Sequence, residues 1–292
     1  MKIGILGGGS IGLLVARYLG ENHDVTVYVR RNQQKQKLND HGLFLSNLTT
    51  PCKVKALLTN EVKEEDCVIV CVKQPEITAI LPLLSLFDEK TPIIFLQNGM
   101  GHIDFLEGLA NPVYIGIVTH GALRKSDHIV SHTGKGMIKL ANFSGEEENL
   151  QMLEKQLHQP LFPIKVESDW ENLLAEKLVI NAVINPLSAL FEVPNGEIMR
   201  NRYLMYLAKE LCKEACIVLQ LDYMDQWNNV QTVASITKEN VSSMWKDLKR
   251  NRKSENEAIS GYIVKKSTID IPYTTFVYNS IRALEVKKGI NE

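Results

Sequence analysis

Short apolar runs at Lys2–Leu6 and Asp24–Val29, separated by an amphipathic stretch over residues 11–20, set the rhythm of the N-terminal half. Residues 67–72 and 92–96 repeat the strand pattern, and residues 76–84 between them have the spacing of a crossover helix. Strands alternating with helices predict a parallel, doubly wound sheet. From residue 112 to 140 the rhythm changes. Three strand-like runs, 113–119, 128–131 and 137–140, follow one another without long helices, which predicts a late antiparallel portion. Ser168-Asp169-Trp170-Glu171 then has the S-x-x-E form of a capping box, and helical periodicity dominates from there to the end. The pattern therefore predicts an α/β Rossmann-type domain over residues 1–166 and an all-α domain over 167–292.

Composition narrows the class without naming a function. Of 292 residues, 45% are hydrophobic and 23% charged, and the formal net charge is -1. That balance gives no electrostatic reason to expect nucleic acid or an anionic membrane surface as a partner. No apolar run approaches the ~18 residues of a membrane span, and the N-terminal run passes straight into glycines, so a soluble, cytoplasmic protein is expected. The five cysteines form no CxxC and have no histidines at finger-like spacing, so small buried hydrophobes are expected rather than a metal site.

Gly7-Gly8-Gly9-Ser10-Ile11-Gly12 fits G-x-G-x-x-G and lies between the first strand and the first helix, the context that makes a weak pattern informative. Gly7 would permit the tight turn, Gly9 the approach of a pyrophosphate, and Gly12 close helix–strand packing. The helix N-terminus would then hold the phosphates. At the end of the second strand an NAD-binding chain usually carries Asp or Glu, whereas this one carries Arg30-Arg31 and has no acidic residue between Asp24 and Asp40. A guanidinium can hold a 2′-phosphate through two charge-assisted bonds, so the expected cofactor is NADP(H), against the plainer reading of a solvated basic loop. Lys73 and Asn98 each follow a strand, where ligands of open α/β sheets bind; ordinary loop residues would look the same.

The stretch 173–191 is apolar nearly all round. Its polar exceptions include Lys177, Asn181, Asn185 and Ser188, which fall on one arc at about 100° per residue. Polar groups on an otherwise buried helix need partners, so this arc points to a polar ligand or a wet cleft unless it simply faces solvent. Pro186 should kink the helix. Residues 239–244 lead what reads as a second long helix. Residues 249–253 read as a basic break, and Ser254-Glu255-Asn256-Glu257 as another capping box, with Glu255 in a first helical turn. The pattern alone leaves Glu255 open as an exposed surface acid.

Taken together these residues resemble the ketopantoate reductase (2-dehydropantoate 2-reductase) family over essentially the whole chain. The landmarks occur in order: Gly7 to Gly12, Arg30, Lys73, Gln97-Asn98-Gly99-Met100-Gly101, Thr119-His120, Lys177-x3-Asn181-x3-Asn185-Pro186-Leu187, Asn195-Gly196, Ser242-Ser243-Met244-x2-Asp247, and Glu255 ahead of Gly261. The lysine–asparagine helix and the Ser-Ser-Met stretch are the specific ones. The resemblance implies NADPH-dependent reduction of ketopantoate to pantoate, on the route to pantothenate and coenzyme A. It implies Lys177 as catalytic lysine and Glu255 as the acidic residue of the substrate site. Asn181, Asn185, Asn195 and Ser243 would hold the substrate's polar groups, with Asn98 and Lys73 near nicotinamide and ribose. Ser260 stands where the family more usually has Asn, and His120 reads as structural. Exposed faces on the later helices would support a homodimer. Competing readings are a β-hydroxyacid dehydrogenase, a reductase of another 2-oxoacid, and an NADPH-sensing protein without turnover.

Overall fold

Val- and Ile-rich runs with little polar interruption make strands that are covered on both faces, as parallel sheets require. In the computed structural model, which describes residues 1–290, the strands begin with β1 (Lys2–Leu6), β2 (Asp24–Val29), β3 (Phe44–Leu45), β4 (Lys55–Leu58), β5 (Cys67–Val70), β6 (Ile93–Phe95) and β7 (Val113–Val118). Every residue of β5, β6 and β7 is buried. The run continues with β8 (Gly121–Arg124), β9 (Ile129–Gly134), β10 (Ile138–Asn142) and β11 (Ile164–Val166). Helices α1 (Ser10–Leu19), α2 (Asn32–His41), α3 (Ile77–Leu84) and α4 (Glu147–Leu157) lie between them in sequence.

The chain divides into two units, residues 1–97 with 103–170, and residues 98–102 with 171–292. In the first, eight strands pair in the order β11-β10-β7-β6-β5-β1-β2-β4. All neighbours are parallel except β7 with β10, so the predicted doubly wound sheet with a late antiparallel portion is observed. The direction of strand order reverses between β1 and β5, the position at which such sheets bind ligands beyond their carboxyl ends. A three-stranded sheet, β3-β9-β8, was not legible in the sequence and packs against α1. The two-residue β3 is too short for any periodicity to register.

The second unit is helical: α5 (Trp170–Phe191), α6 (Glu197–Arg200), α7 (Arg202–Leu219), α8 (Tyr223–Ile236), α9 (Ser243–Lys249), α10 (Tyr262–Lys266) and α11 (Pro272–Lys287). Side chains cap α7, α8 and α9: Asn201, Asp222 and Ser242 accept from backbone N–H groups of the first turns. Helix α5 starts at Trp170, one residue later than a cap at Ser168 would place it, and runs through Pro186 to Phe191. Its length and mean hydropathy of 1.4 match a membrane-spanning segment, correcting the expectation that no stretch approaches that size. With 72% of that stretch buried inside the protein, it is a core helix. The expected long helix after residue 239 is also corrected, because α9 has seven residues and ends at Lys249.

Ser254 and Glu257 do not form a capping box. The Ser254 hydroxyl donates to Glu285 Oε1 at 2.7 Å, and Glu257 accepts from the Tyr278 hydroxyl at 2.7 Å. Residues Glu257–Gly261 instead form a π-turn in which the Gly261 N–H reaches the Asn256 carbonyl at 2.9 Å. Glu255 therefore precedes this turn rather than lying within a first α-helical turn. Such wide turns are frequent at functional sites.

Candidate active site

The glycine-rich turn follows β1 directly. Gly7 has φ +114°, and its N–H donates to the Tyr28 carbonyl at 3.0 Å. A Cβ there would press on the Val72 backbone nitrogen beyond β5, and one on Gly12 would overlap the Gly7 carbonyl. Both glycines are required by close backbone packing at the switch point. Gly9 differs: a Cβ on it would meet no protein atom within 4 Å. Helix α1 begins there with no side-chain cap and no acid in its first turn, leaving its free N–H groups to an anion from outside the chain. The turn thus has the shape and polarity to take a dinucleotide pyrophosphate.

Ser10 Oγ accepts from the Arg124 backbone N–H at 3.1 Å, and Ile11 packs against the core. Arg30 is 72% exposed at the end of β2, where its guanidinium meets Glu76 at 2.6 Å. Arg31 pairs with Asp127. Lys73 is exposed between β5 and the short 3₁₀ turn Gln74–Glu76. Gln97 donates to the Val70 and Val72 carbonyls at 3.0 Å each, tying the end of β6 to the loop after β5.

In the helical unit Lys177 lies on α5, with Asn181 and Asn185 one and two turns further along the same face. Burial brings the Lys177 ammonium down to about 8, and the Glu255 carboxylate opposes that shift. The residue as a whole is half-buried on α5, and the shift reflects the partial loss of water around its charge. Glu255 Oε2 accepts from Asn98 Nδ2 at 3.0 Å. Asn98 belongs to the segment 98–102, which folds with the helices although it follows a strand of the sheet. Gly99 makes that possible: it has φ +77°, and an added Cβ would lie 2.3 Å from the Ala258 carbonyl oxygen. The Met100 N–H reaches the same carbonyl.

Residues on both sides of Glu255 are anchored to α11. Glu285, only 3% exposed, accepts from the Ser254 N–H at 2.9 Å as well as from its hydroxyl, while Asn256 donates to the Tyr278 carbonyl at 3.0 Å. The structure therefore brings Lys177, Glu255 and Asn98 into one electrostatic group, with Asn181 and Asn185 on the lysine's helix face. Ser188, on the same arc, spends its hydroxyl on the Val193 carbonyl at 2.8 Å. Asn195, in the loop after α5, donates to Thr237 Oγ1 at 2.9 Å, and its buried Oδ1 has no hydrogen-bond partner among the described residues. Ser243 is exposed at the start of α9, where Ser242 supplies the cap. Ser260 is fully buried. His120 stacks on Phe162 and bonds His132 at 3.1 Å, well inside the first unit's core. Gln34 and Glu285 escaped the sequence reading, and Gln97 entered it only within the Gln97-to-Gly101 landmark, with no role of its own.

A doubly wound sheet with a pyrophosphate-shaped turn, joined in sequence to a helical unit holding a half-buried lysine under the influence of a carboxylate, defines a Rossmann-type oxidoreductase. The family description "Ketopantoate reductase PanE/ApbA" matches residues 3–145, and its C-terminal counterpart matches residues 169–285. The chain is 42% identical to the 2-dehydropantoate 2-reductase of Bacillus subtilis, with 98% of both chains covered, and 33% identical to that of Listeria monocytogenes, with 99% of both covered. A crystal structure of the probable Bacillus subtilis enzyme superposes with TM-score 0.88 at 41% identity, covering 97% of this chain and all of the other. This chain belongs to the ketopantoate reductase family. A D-mandelate dehydrogenase solved with NADH and anilino(oxo)acetate shares the fold, at TM-score 0.92 and 23% identity over 99% of this chain and all of the other.

Proposed function

We propose that this protein reduces ketopantoate to pantoate in the cytoplasm with NADPH as the electron donor, Lys177 and Glu255 carrying the chemistry. The observation that carries the reading is the group formed by Lys177, Glu255 and Asn98, in a chain related to ketopantoate reductases from end to end. NADPH, when bound, supplies the hydride. The Lys177 ammonium is the group suited to stabilise negative charge growing on the ketone oxygen and to deliver a proton there. Glu255 keeps that ammonium charged despite burial. Asn181, Asn185, Asn195 and Ser243 offer amides and a hydroxyl to the substrate's carboxylate and hydroxyl groups, and the orphaned Asn195 Oδ1 suits a hydroxyl donor. Gly7 to Gly12, Lys73 and Asn98 serve the dinucleotide, with Arg30 on its 2′-phosphate. Assembly as a homodimer fits a Staphylococcus aureus ketopantoate reductase described as dimeric, which shares the fold at TM-score 0.82 and 22% identity over 99% of this chain and all of the other.

Steady-state turnover of NADPH with ketopantoate tests the reading; absence of turnover, with NADPH still bound tightly, would leave a nucleotide sensor instead. The pH profile gives a second check. The acid role needs the ammonium, and the folded protein brings its titration down to about 8. Activity as kcat/KM should accordingly hold on the acid side of that value and fall as pH rises through it. A profile flat to pH 10 would remove Lys177 from the proton-donor role.

Arg30→Ala tests cofactor choice. Its guanidinium must leave Glu76 to hold a 2′-phosphate, and losing a charge-assisted pair should raise the Kd for NADPH by about 10- to 100-fold. NADH binding should stay within about twofold, since it has no phosphate for Arg30 to hold. Equal losses for both nucleotides would show that Arg30 does not read the phosphate.

A further inference from the structure

Beyond the glycines themselves, the turn after β1 is gripped from two directions. Gln34 Nε2, on α2, donates to the Gly8 carbonyl at 2.8 Å. Arg124 Nη1, on β8, donates to the same oxygen at 3.0 Å, and the Arg124 backbone N–H donates to Ser10 Oγ at 3.1 Å. Gln34 is 4% exposed, and the same Nε2 also donates to the Asp127 carbonyl at 3.1 Å, so both of its hydrogens are committed. The contact is tight: a Cβ on Gly8 would lie 2.6 Å from Gln34 Nε2.

A peptide group is planar, and in this chain the bond between Gly8 and Gly9 is trans, so its N–H points opposite to its carbonyl. Two donors holding the Gly8 oxygen into the protein therefore turn the Gly9 N–H away from them. Gly9 is also the residue beside open space, and its own carbonyl is already committed to the first bond of α1, from Leu13 at 3.0 Å. A carbonyl rotated toward that space would repel a phosphate, whereas the N–H attracts one. We propose that Gln34 and Arg124 are positioning residues for the dinucleotide pyrophosphate, locking the Gly8–Gly9 peptide in the orientation that presents its N–H to the ligand. This rests on the cofactor reading above and extends it to two residues outside the glycine motif. Because the pyrophosphate is common to both nicotinamide dinucleotides, the pair should govern affinity for each alike, unlike Arg30.

The test is titration of the full chain with NADPH and NADH by nucleotide fluorescence and with 2′-AMP by calorimetry. It compares the native sequence with Gln34→Leu, Arg124→Met and Arg124→Lys. Gln34→Leu and Arg124→Met should each weaken NADPH and NADH by the same factor, about tenfold. Affinity for 2′-AMP, which carries the ribose phosphate without the pyrophosphate, should not change, and Arg124→Lys should recover part of the loss. Unaltered dinucleotide affinity would overturn the proposal. So would a loss confined to NADPH, or an equal loss for 2′-AMP, which would signal general distortion. If Gln34→Leu does not fold, Arg124→Met decides, since all of β8 is only half-buried. If the native chain binds neither dinucleotide, the cofactor reading itself fails, a result seen before any variant is made.

Discussion

Replacing Lys177 with alanine will lower kcat by about 10²- to 10⁴-fold while leaving the Kd for NADPH within about twofold. The size follows from what is removed: the cation proposed to act on the developing alkoxide, in surroundings dry enough to bring its ammonium down to about 8. Electrostatic stabilisation is worth more in such a site than in water. The sparing of nucleotide affinity follows from the division of labour, since the glycine-rich turn and Arg30 belong to the other unit. Because removing the ammonium also leaves Glu255 without its cation, melting is measured alongside to separate lost chemistry from lost folding. Single-turnover measurements with saturating NADPH separate the chemical step from binding. A kcat within threefold of the native value would eliminate Lys177 as the group acting on the ketone.

The second large effect is expected at a residue with no chemistry of its own. Gly99→Ala puts a Cβ 2.3 Å from the Ala258 carbonyl oxygen and forces a non-glycine residue to φ +77°. The strained backbone costs about 1–3 kcal/mol, and the overlap must be relieved by moving one of two backbone segments. Either movement shifts Asn98 relative to Glu255, whose hydrogen bond spans 3.0 Å. A displacement near 1 Å at reacting groups costs on the order of 10²-fold in kcat/KM. Melting should fall by roughly 3–10 °C, read by calorimetry alongside the kinetics. Native kinetics and melting in this variant would mean that the Asn98–Glu255 contact does not depend on the close approach at Gly99.

Much of the architecture was legible because its signals are local and periodic. The strand–glycine–helix unit at the N-terminus, Arg30 ending β2, and the polar arc on α5 each lie within some twenty residues of sequence. The runs that became β5, β6 and β7 were visible as apolar stretches because both faces are covered. What could not be read is what depends on distance along the chain. Gln34 meets Gly8 across 26 positions and Arg124 meets it across 116, and no spacing rule connects such residues. The same holds for Glu285, which reaches back 31 positions to fix the residue before Glu255.

Two misreadings have specific causes. Ser254 and Glu257 satisfy the letter of a capping box, yet long-range partners, Glu285 and Tyr278, outcompete the local reciprocal bonds. The chain then enters a π-turn, which has no distinguishing sequence periodicity. The membrane-length helix was missed because its polar residues interrupt the apolar run, although its overall hydropathy suffices. Those interruptions, Lys177, Asn181 and Asn185, are the residues to which the proposed chemistry is assigned. Arg30 illustrates the same gap from the other side: sequence showed a cation at the strand end, and only the structure showed Glu76 already paired with it.

The most direct test follows the hydride itself. NADPH carrying deuterium at C4 of the nicotinamide, on the face that is transferred, is incubated with ketopantoate and the native protein, and the product is analysed by mass spectrometry and NMR. Parallel reactions contain NADH, pyruvate or 2-oxoisovalerate. The account predicts pantoate with one deuterium at C2, formed much faster with NADPH and ketopantoate than in any parallel reaction. Label appearing only in the product of another 2-oxoacid, or in none, would contradict it.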